Sequence, residues 1–134
     1  MDTLRDVSSR LPAKHIYYAM DSCYSGTGFT RGLASLTSKD GYISKVTSRR
    51  VVQMITAGSD GEQAYEIGGA GAFTSQFLRA LSGEADFNTD GYVTSSEIGA
   101  FVKPQVTRDT RGRQTPQFGT LDGFGEVVFG VSPR

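Results

Sequence analysis

The segment from Lys14 to Met20 is apolar and rich in aromatic and branched residues, and it constrains the fold of this 134-residue chain more than any other. Small and polar residues follow it at once, Asp-Ser-Cys-Tyr-Ser-Gly at 21–26. An apolar run that stops abruptly at such residues predicts a buried strand that leads into a tight loop. The single cysteine of the chain, Cys23, lies in this predicted loop. Because chemistry in open parallel sheets collects outside the carboxyl ends of the strands, Cys23 is a candidate nucleophile, although a lone cysteine is more often a small buried side chain.

Charge and hydropathy argue against several kinds of partner. The chain has 14 basic and 14 acidic residues, so there is no electrostatic case for nucleic acid or an anionic membrane surface. No stretch approaches about 18 consecutive apolar residues, and the N-terminus lacks the pattern of a signal peptide. We therefore expect a cytoplasmic protein with no membrane or nucleic-acid partner. One cysteine excludes an internal disulfide and fits a reducing compartment, and the length fits one domain or part of one.

The residues 21–26 resemble the nucleophile segment of the caspase-like cysteine peptidases, which include caspases, metacaspases and bacterial caspase-family proteins. Four further segments are similar to later parts of that family: the strand and exit loop at 51–60, the helix at 71–81, and the C-terminal stretches 114–119 and 126–129. The likeness runs from about Leu11 to Phe129 and covers only the later half of the family's catalytic domain.

The resemblance implies an α/β fold, a caspase-like three-layer sandwich with a mostly parallel sheet. Its strands are expected near 14–20, 51–57 and 126–130. The whole chain, 1–134, is then a partial catalytic domain, with the nucleophile strand and loop at 14–28 and a segment like the family's small subunit at 46–130. Because the upstream strands of the family's sheet are absent from this sequence, we expect the sheet to be incomplete and to expose an edge or an apolar face.

Apolar spacing predicts two helices. The first covers 2–11, because three apolar residues recur there at spacings of three and four: Leu4, Val7 and Leu11. The second is expected to start at Glu97 and to be weakened or ended by Pro104. The basic and polar stretch 108–114 that follows is expected to be an exposed loop.

The stretch 27–47 is rich in Gly, Ser, Thr and Lys without a clear period, which predicts a long surface loop. In many caspase-like relatives this region holds an activation cleavage site between two catalytic segments. A peptidase specific for basic residues has five candidate positions here for cutting its own chain: Arg31, Lys39, Lys45, Arg49 and Arg50. Solvated surface charge is the ordinary explanation of such residues, and both interpretations stay open.

Acidic residues follow the strand predicted at 51–56, where the loop 57–65 begins. The resemblance implies that Asp21, two residues before the cysteine, and Asp60 line a pocket for a substrate arginine or lysine. A guanidinium that leaves water needs carboxylate partners in bidentate geometry. The alternative is structural, since Asp21 could cap the turn after its strand and Asp60 could support a Ser-Asp-Gly turn.

The residues from Asp86 to Glu97 match the twelve-residue calcium loop at each defining position. Oxygen-bearing side chains occupy positions 1, 3 and 5, glycine occupies position 6, and a glutamate that can bind through both oxygens occupies position 12. The predicted Ca²⁺ ligands are Asp86, Asn88, Asp90, the Tyr92 carbonyl, Thr94 directly or through water, and Glu97. Gly83 interrupts the helix that would enter the loop, and no second loop is available to pair with it, so a structural or modest-affinity site is expected.

The sequence has one histidine, His15, which lies eight residues before Cys23. Along an extended strand this spacing corresponds to more than about 20 Å, so His15 is not expected to activate the cysteine. Cysteine peptidases need a nearby histidine, and in the caspase-like family it follows an earlier strand. The chain therefore resembles the nucleophile-bearing part of a catalytic domain, separated from its histidine-bearing part and inactive alone.

These features predict a fragment of a caspase-like or metacaspase-like cysteine endopeptidase that cleaves after arginine or lysine through the Cys23 thiolate. Its expected partners are a peptide or protein substrate with a basic residue before the cut, and the missing N-terminal half of the domain. Calcium is the expected cofactor, in a structural or modulatory role. The alternative is a catalytically inactive calcium-binding or interaction module with caspase-like architecture. A free-standing calcium-loop module would leave the apolar strands unexplained.

Overall fold

The computed structural model of the chain describes residues 2–24, 41–62, 66–67 and 70–132, with the backbone alone for residues 2, 23, 24, 66, 67 and 70. The described helices are α1 (Asp2–Arg10), α2 (Tyr42–Val46), α3 (Ala72–Arg79) and α4 (Ser95–Asp109), with a π-helical turn at Ala80–Glu84 after α3. The described strands are β1 (His15–Tyr24), β2 (Val51–Ser59), β3 (Glu66–Ile67), β4 (Ala70–Gly71), β5 (Tyr92–Thr94), β6 (Gln117–Gly123) and β7 (Val128–Gly130).

The largest described sheet has the order β1-β2-β6, with β2 in the centre. All eight residues from Val51 to Gly58 are buried, as expected for a strand that is covered on both faces. The strand predicted near 51–57 is therefore confirmed. The strand predicted near 14–20 is also present, but β1 continues through Cys23 to Tyr24 after an irregularity in its pairing with β2. Cys23 thus lies in the last part of a strand, rather than in the loop that the abrupt change of composition predicted.

The prediction that the segment 126–130 joins this sheet in a mostly parallel arrangement is wrong. The pairing of β1 with β2 is parallel, whereas β6 pairs with β2 antiparallel. After β6 the chain turns away through Gly123 and Gly125, which have φ values of 83° and 101°. These left-handed conformations favour glycine. The turn sends β7 to a separate two-stranded sheet, in which it pairs antiparallel with β5.

Helices contact both faces of this sheet. On one face, α3 and α4 enclose a core with residues of β2, and its largest fully buried members are Ile55 and Ile98. On the other face, Leu4 of α1 packs against a second core cluster around Met54. The Oγ of Ser8 in α1 also lies 2.9 Å from the hydroxyl of Tyr18 in β1. The described chain is therefore a mixed α/β structure built on a small mixed sheet.

The sequence predictions for helices and loops are confirmed only in part. Helix α1 is present, yet Val7 and Leu11 are 45% and 43% exposed, so Leu4 alone of the three spaced residues packs on the sheet. The predicted loop 27–47 contains α2 near its end, and residues 25–40 lie outside the described part of the chain. None of the described helices is long and apolar enough to cross a membrane.

Pro104 does not end the second helix, because α4 runs through it to Asp109. A proline inside a helix removes one backbone hydrogen bond and crowds the preceding turn. Val102 and Val106 flank Pro104 and are both 0% exposed, and their burial compensates for the defect. The predicted loop 108–114 begins inside this helix and ends at Gln114, which is only 1% exposed.

Candidate functional site

The parallel pairing of β1 and β2 brings the carboxyl ends of the two strands to one edge of the sheet. Cys23 pairs with Gly58, and Tyr24 pairs with Ser59. Asp60 follows in the turn directly after β2, and Asp21 precedes the cysteine by two residues. The three candidate residues of the predicted peptidase site, Asp21, Cys23 and Asp60, therefore share this edge.

Asp21 has an exposed carboxylate with one described partner. Its Oδ2 accepts a hydrogen bond of 3.1 Å from the hydroxyl of Thr74, in the first turn of α3. Gly71, the N-cap of α3, has no side-chain cap, and a Cβ at this position would lie 3.4 Å from the same oxygen. A carboxylate beside the unpaired N–H groups of a helix N-terminus is stabilising. Asp21 thus supports α3, a role that the sequence did not indicate, and its exposed side still faces solvent.

The loop that carries Asp60 is held by neighbouring polar residues. Oε1 of Glu62 accepts hydrogen bonds of 2.7 Å from the N–H groups of both Ser59 and Thr115. The buried side chain of Gln114 donates to the carbonyl of Ala57 at 2.8 Å. Thr56 is the last residue of β2 that pairs with β6, and these contacts hold the end of β2 beyond it. Asp60 itself is exposed in the turn. The bond between Glu62 and Thr115 spans 53 positions and that between Gln114 and Ala57 spans 57, so local sequence patterns did not reveal them.

His15 lies at the amino end of β1, opposite Val51, while Cys23 lies near the carboxyl end. Its Nε2 is 3.0 Å from the carbonyl oxygen of Arg49. This contact gives His15 a structural role at the far end of the strand from the cysteine. His15 is therefore not placed beside Cys23 within β1.

The five basic positions considered for self-cleavage divide into two groups. Arg50 donates to Asp122 at 2.9 Å and to the carbonyl of Ser8 at 2.6 Å, and Lys45 lies within α2. Peptides are commonly recognised in an extended form, which Lys45 does not have within its helix. Arg31 and Lys39 lie outside the described residues.

The predicted calcium loop has a regular network of its own hydrogen bonds. Asp86 accepts from the N–H of Asp90 at 3.2 Å and from the N–H of Gly91 at 3.0 Å. Asn88 accepts from Asp90 at 3.3 Å, and Asp90 accepts from Tyr92 at 3.0 Å. Gly91 has a φ of 84°, so position 6 makes the sharp turn for which glycine is needed. The side-chain oxygens at positions 1, 3 and 5 are thereby oriented by the loop backbone.

Glu97 is carried into the loop by the first turn of α4 and is only 2% exposed. Its two carboxylate oxygens accept from the N–H groups of Thr94 at 3.0 Å and of Phe87 at 3.3 Å. The Thr94 hydroxyl accepts in return from the N–H of Glu97 at 3.1 Å, which completes a capping box. Burial raises the pKa of Glu97, and the negative charge of Asp90 raises this pKa further against the lowering effect of the hydrogen bonds.

The residues of the loop suit a calcium ion, because hard carboxylate, amide and carbonyl oxygens are the ligands that Ca²⁺ prefers. None of the described basic side chains forms an ion pair with the buried Glu97, and a cation would neutralise its charge. In the described ranges no three His, Cys, Asp or Glu side chains already form a metal-binding group. Asp86, Asp90 and Glu97 would therefore have to move closer together around an ion, with Asn88, Tyr92 and Thr94 completing the ligand set.

A second buried carboxylate, Glu126, adjoins the first turn of α4 and was missed by the sequence interpretation, which treated it only as part of a terminal strand. It is 1% exposed and accepts a hydrogen bond of 2.6 Å from Gln53 of β2. It also accepts from the backbone N–H of Ser96 at 3.2 Å and from the Ser96 hydroxyl. Burial raises the pKa of Glu126, although the hydrogen bonds from Ser96 and Gln53 act in the opposite direction.

Replacing Glu126 with glutamine is expected to weaken the pH dependence of stability in a chelating buffer. The pKa of Glu126 is raised above its ordinary value of 4.5 in the folded protein, so the folded state binds this proton more tightly than the unfolded state. The contribution of this protonation to the free energy of unfolding is therefore fully present below the ordinary pKa. It is lost as the pH rises through the raised pKa of the folded state. Urea unfolding from about pH 4 to about pH 7.5 measures this free energy.

The pKa of Glu97 is also raised, so Glu97 contributes to the pH dependence in both proteins. The prediction therefore concerns the difference in pH dependence between the wild type and Glu126→Gln. The variant should lose less unfolding free energy than the wild type as the pH rises. Asp6→Asn, which changes an exposed carboxylate on α1, serves as the control and should follow the wild type. Parallel curves for the wild type and Glu126→Gln would contradict the prediction.

The described structure therefore has two candidate functional sites. One is the edge of the sheet at the carboxyl ends of β1 and β2, and the other is the loop from Asp86 to Glu97. Compared with protein-family models, curated proteins and solved structures, the chain matches none. Its function is therefore inferred from the chemistry of these two places and from the resemblance of its motifs.

Proposed function

We propose that this chain is the nucleophile-bearing part of a caspase-like cysteine endopeptidase that cleaves after arginine or lysine. The observation that carries the proposal is the parallel pairing of Cys23 with Gly58 at the carboxyl edge of the sheet. Asp21 and Asp60 share that edge, and carboxylates there favour a cationic substrate side chain. The motif at 21–26, which resembles the nucleophile segment of this class, supports the same function.

In the proposed reaction the sulfur of Cys23 attacks the carbonyl carbon of the peptide bond after the basic residue. The departing amine takes a proton from a histidine of another segment, and water then hydrolyses the thioester and restores the thiol. Backbone N–H groups near the cysteine would stabilise the oxyanion. Asp21 would bind the basic side chain through its solvent-facing oxygen sites, while Thr74 holds Oδ2 in place.

A labelling experiment on the purified chain tests this proposal without requiring the missing histidine. Two peptidyl acyloxymethyl ketones are compared that differ only in the side chain before the reactive ketone, arginine or the neutral norleucine. Cys23 should be alkylated about tenfold faster by the arginine probe, the effect of one charge-assisted hydrogen bond. Asp21→Asn should remove this preference, and Asp122→Asn, away from the sheet edge, should keep it.

Equal labelling rates for the two probes in the wild type would contradict specificity for basic residues. In parallel, the chain alone should hydrolyse a fluorogenic peptidyl-arginine amide no faster than Cys23→Ala, with calcium or with chelator. Robust turnover that depends on Cys23 would contradict the assignment of the histidine to another segment. Calcium binding without any probe preference would favour the alternative, an inactive calcium-binding or interaction module.

A second proposed activity is Ca²⁺ binding by the loop from Asp86 to Glu97. The buried and unneutralised carboxylate of Glu97 carries this proposal. Side-chain oxygens of Asp86, Asn88 and Asp90 would complete the ion's surroundings with the Tyr92 carbonyl and Thr94. A single loop of this kind supports a structural or modest-affinity site rather than a switch.

A further inference from the structure

The short strand of the calcium loop, β5, is paired along its whole length with β7. Val93 pairs with Phe129 and is 0% exposed. The pairing extends beyond the strand at both ends, because Val131 donates to the carbonyl of Gly91 at 2.9 Å and Ser95 donates to the carbonyl of Val127 at 2.9 Å. The segment 126–131 is thus the described pairing partner of the strand in this loop.

The same segment holds the beginning of α4, the helix that carries Glu97. The first three N–H groups of this helix have no partner within it. The N–H of Ser95 donates to the Val127 carbonyl, and the N–H of Ser96 donates to Glu126 at 3.2 Å. The N–H of Glu97 donates to the N-cap residue Thr94. Two of these three donors are therefore fixed by the segment 126–127.

Gln53 connects this segment to the central strand β2. It is 4% exposed, and its Nε2 donates to Glu126 at 2.6 Å and to the Thr120 hydroxyl at 3.2 Å. Its Oε1 accepts from the N–H of Val127 at 2.8 Å. Both ends of the amide group are thus used, which fixes Glu126 relative to the sheet.

We propose that Glu126 is a positioning residue for calcium, which holds the first turn of α4 through Ser96 so that Glu97 can offer both oxygens to the ion. The inference rests on the proposed calcium binding of the loop. Residues that orient metal ligands from outside the ligand set strongly affect metal affinity. Glu126 contacts the residue directly before the ligand and is itself anchored to the sheet, so it fits that role.

Calorimetric titration of the full chain with CaCl₂ tests the proposal through a double-mutant cycle. Glu126→Gln should raise the Kd about tenfold, a typical effect for a residue outside the ligand set. Ser96→Ala, which removes one hydrogen bond but no charge, should raise the Kd about threefold. Because both variants alter the same contact between Ser96 and Glu126, the double variant should bind no more weakly than Glu126→Gln. Ser96→Thr, which keeps the hydroxyl, should restore the wild-type Kd.

Several outcomes would overturn the proposal. A wild-type Kd for Ser96→Ala would mean that the hydroxyl contact does not position Glu97, and fully additive effects in the double variant would mean that Glu126 acts only through its charge. Leu121→Val, in the core cluster on the opposite face of the sheet, should leave the Kd unchanged. If its Kd rose as much as that of Glu126→Gln, the weaker calcium binding would be explained by a general loss of stability. A wild-type chain that binds no calcium would contradict calcium binding itself, whereas wild-type binding with unaffected variants would contradict only the role of Glu126.

Discussion

Replacing Glu97 with glutamine is expected to raise the Kd for Ca²⁺ by at least about a hundredfold, since changes outside the ligand set alone cost about 10- to 100-fold. In the proposed site, Glu97 occupies the position that would bind the ion through two carboxylate oxygens. The amide offers a single oxygen and carries no charge. Calcium should therefore no longer raise the melting temperature of the variant at concentrations that saturate the wild type.

The experiment must separate this effect from the structural role of Glu97. Its carboxylate accepts from the N–H groups of Thr94 and Phe87, so the change costs about 1 kcal/mol of stability even in chelator. The relevant quantity is the shift between calcium and chelator, which in the wild type reaches about 2.7 kcal/mol at a hundred times the Kd. Glu84→Gln, in which an exposed pair with Arg79 is lost, should keep the wild-type shift. The same shift in Glu97→Gln would exclude the loop as the calcium site.

The shape of the loop from Asp86 to Glu97 could be predicted from the sequence because its determinants are local. The positive φ of Gly91 and the bonds between neighbouring loop residues follow from residue types a few positions apart. The partner of its strand could not be predicted in this way. Val93 and Phe129 pair across more than thirty residues, and apolar periodicity does not specify which strands pair or in which register.

The central sheet shows the same division between local and distant determinants. The largely apolar run at 51–56 predicted β2 from the sequence, and in the structure all residues from Val51 to Gly58 are buried. Its antiparallel neighbour β6, with the sequence Gln-Phe-Gly-Thr-Leu-Asp-Gly, contains residues that weaken a strand signal. The more apolar segment 126–130 was therefore assigned to the sheet instead. Pairing with β2, rather than intrinsic preference, makes 117–123 a strand.

At the candidate peptidase edge, the sequence indicated which residues would gather but not what would hold them. The rule that strand ends carry chemistry placed Asp21 and Cys23 together. The bond between Asp21 and Thr74 joins β1 to α3 across 53 positions, so no local pattern contains it. The anchoring of Glu126 by Gln53 spans 73 positions and was missed for the same reason.

Replacing Gly123 with alanine is expected to destabilise the protein by about 4 kcal/mol, against about 1 kcal/mol for Gly41→Ala. The two glycines have nearly the same backbone conformation, with φ values of 83° and 81°. Alanine therefore pays a similar conformational cost at both positions. The difference lies in the surroundings, because a Cβ on Gly123 would lie 2.1 Å from the carbonyl oxygen of Arg50, whereas no atom of the described residues lies within 4 Å of a Cβ at Gly41.

The crowded carbonyl is not free to move aside. It accepts a hydrogen bond of 3.1 Å from the N–H of Phe124, and Arg50 directly precedes the fully buried Val51 at the start of β2. Relief of the contact must therefore break the turn or shift the central strand, and both disturb the core. Urea unfolding of the two variants measures the difference directly. Equal losses of unfolding free energy in the two variants would mean that the turn at Gly123 accommodates a Cβ without extra cost. The close approach of this turn to β2 would then not be what directs the chain from β6 towards Glu126.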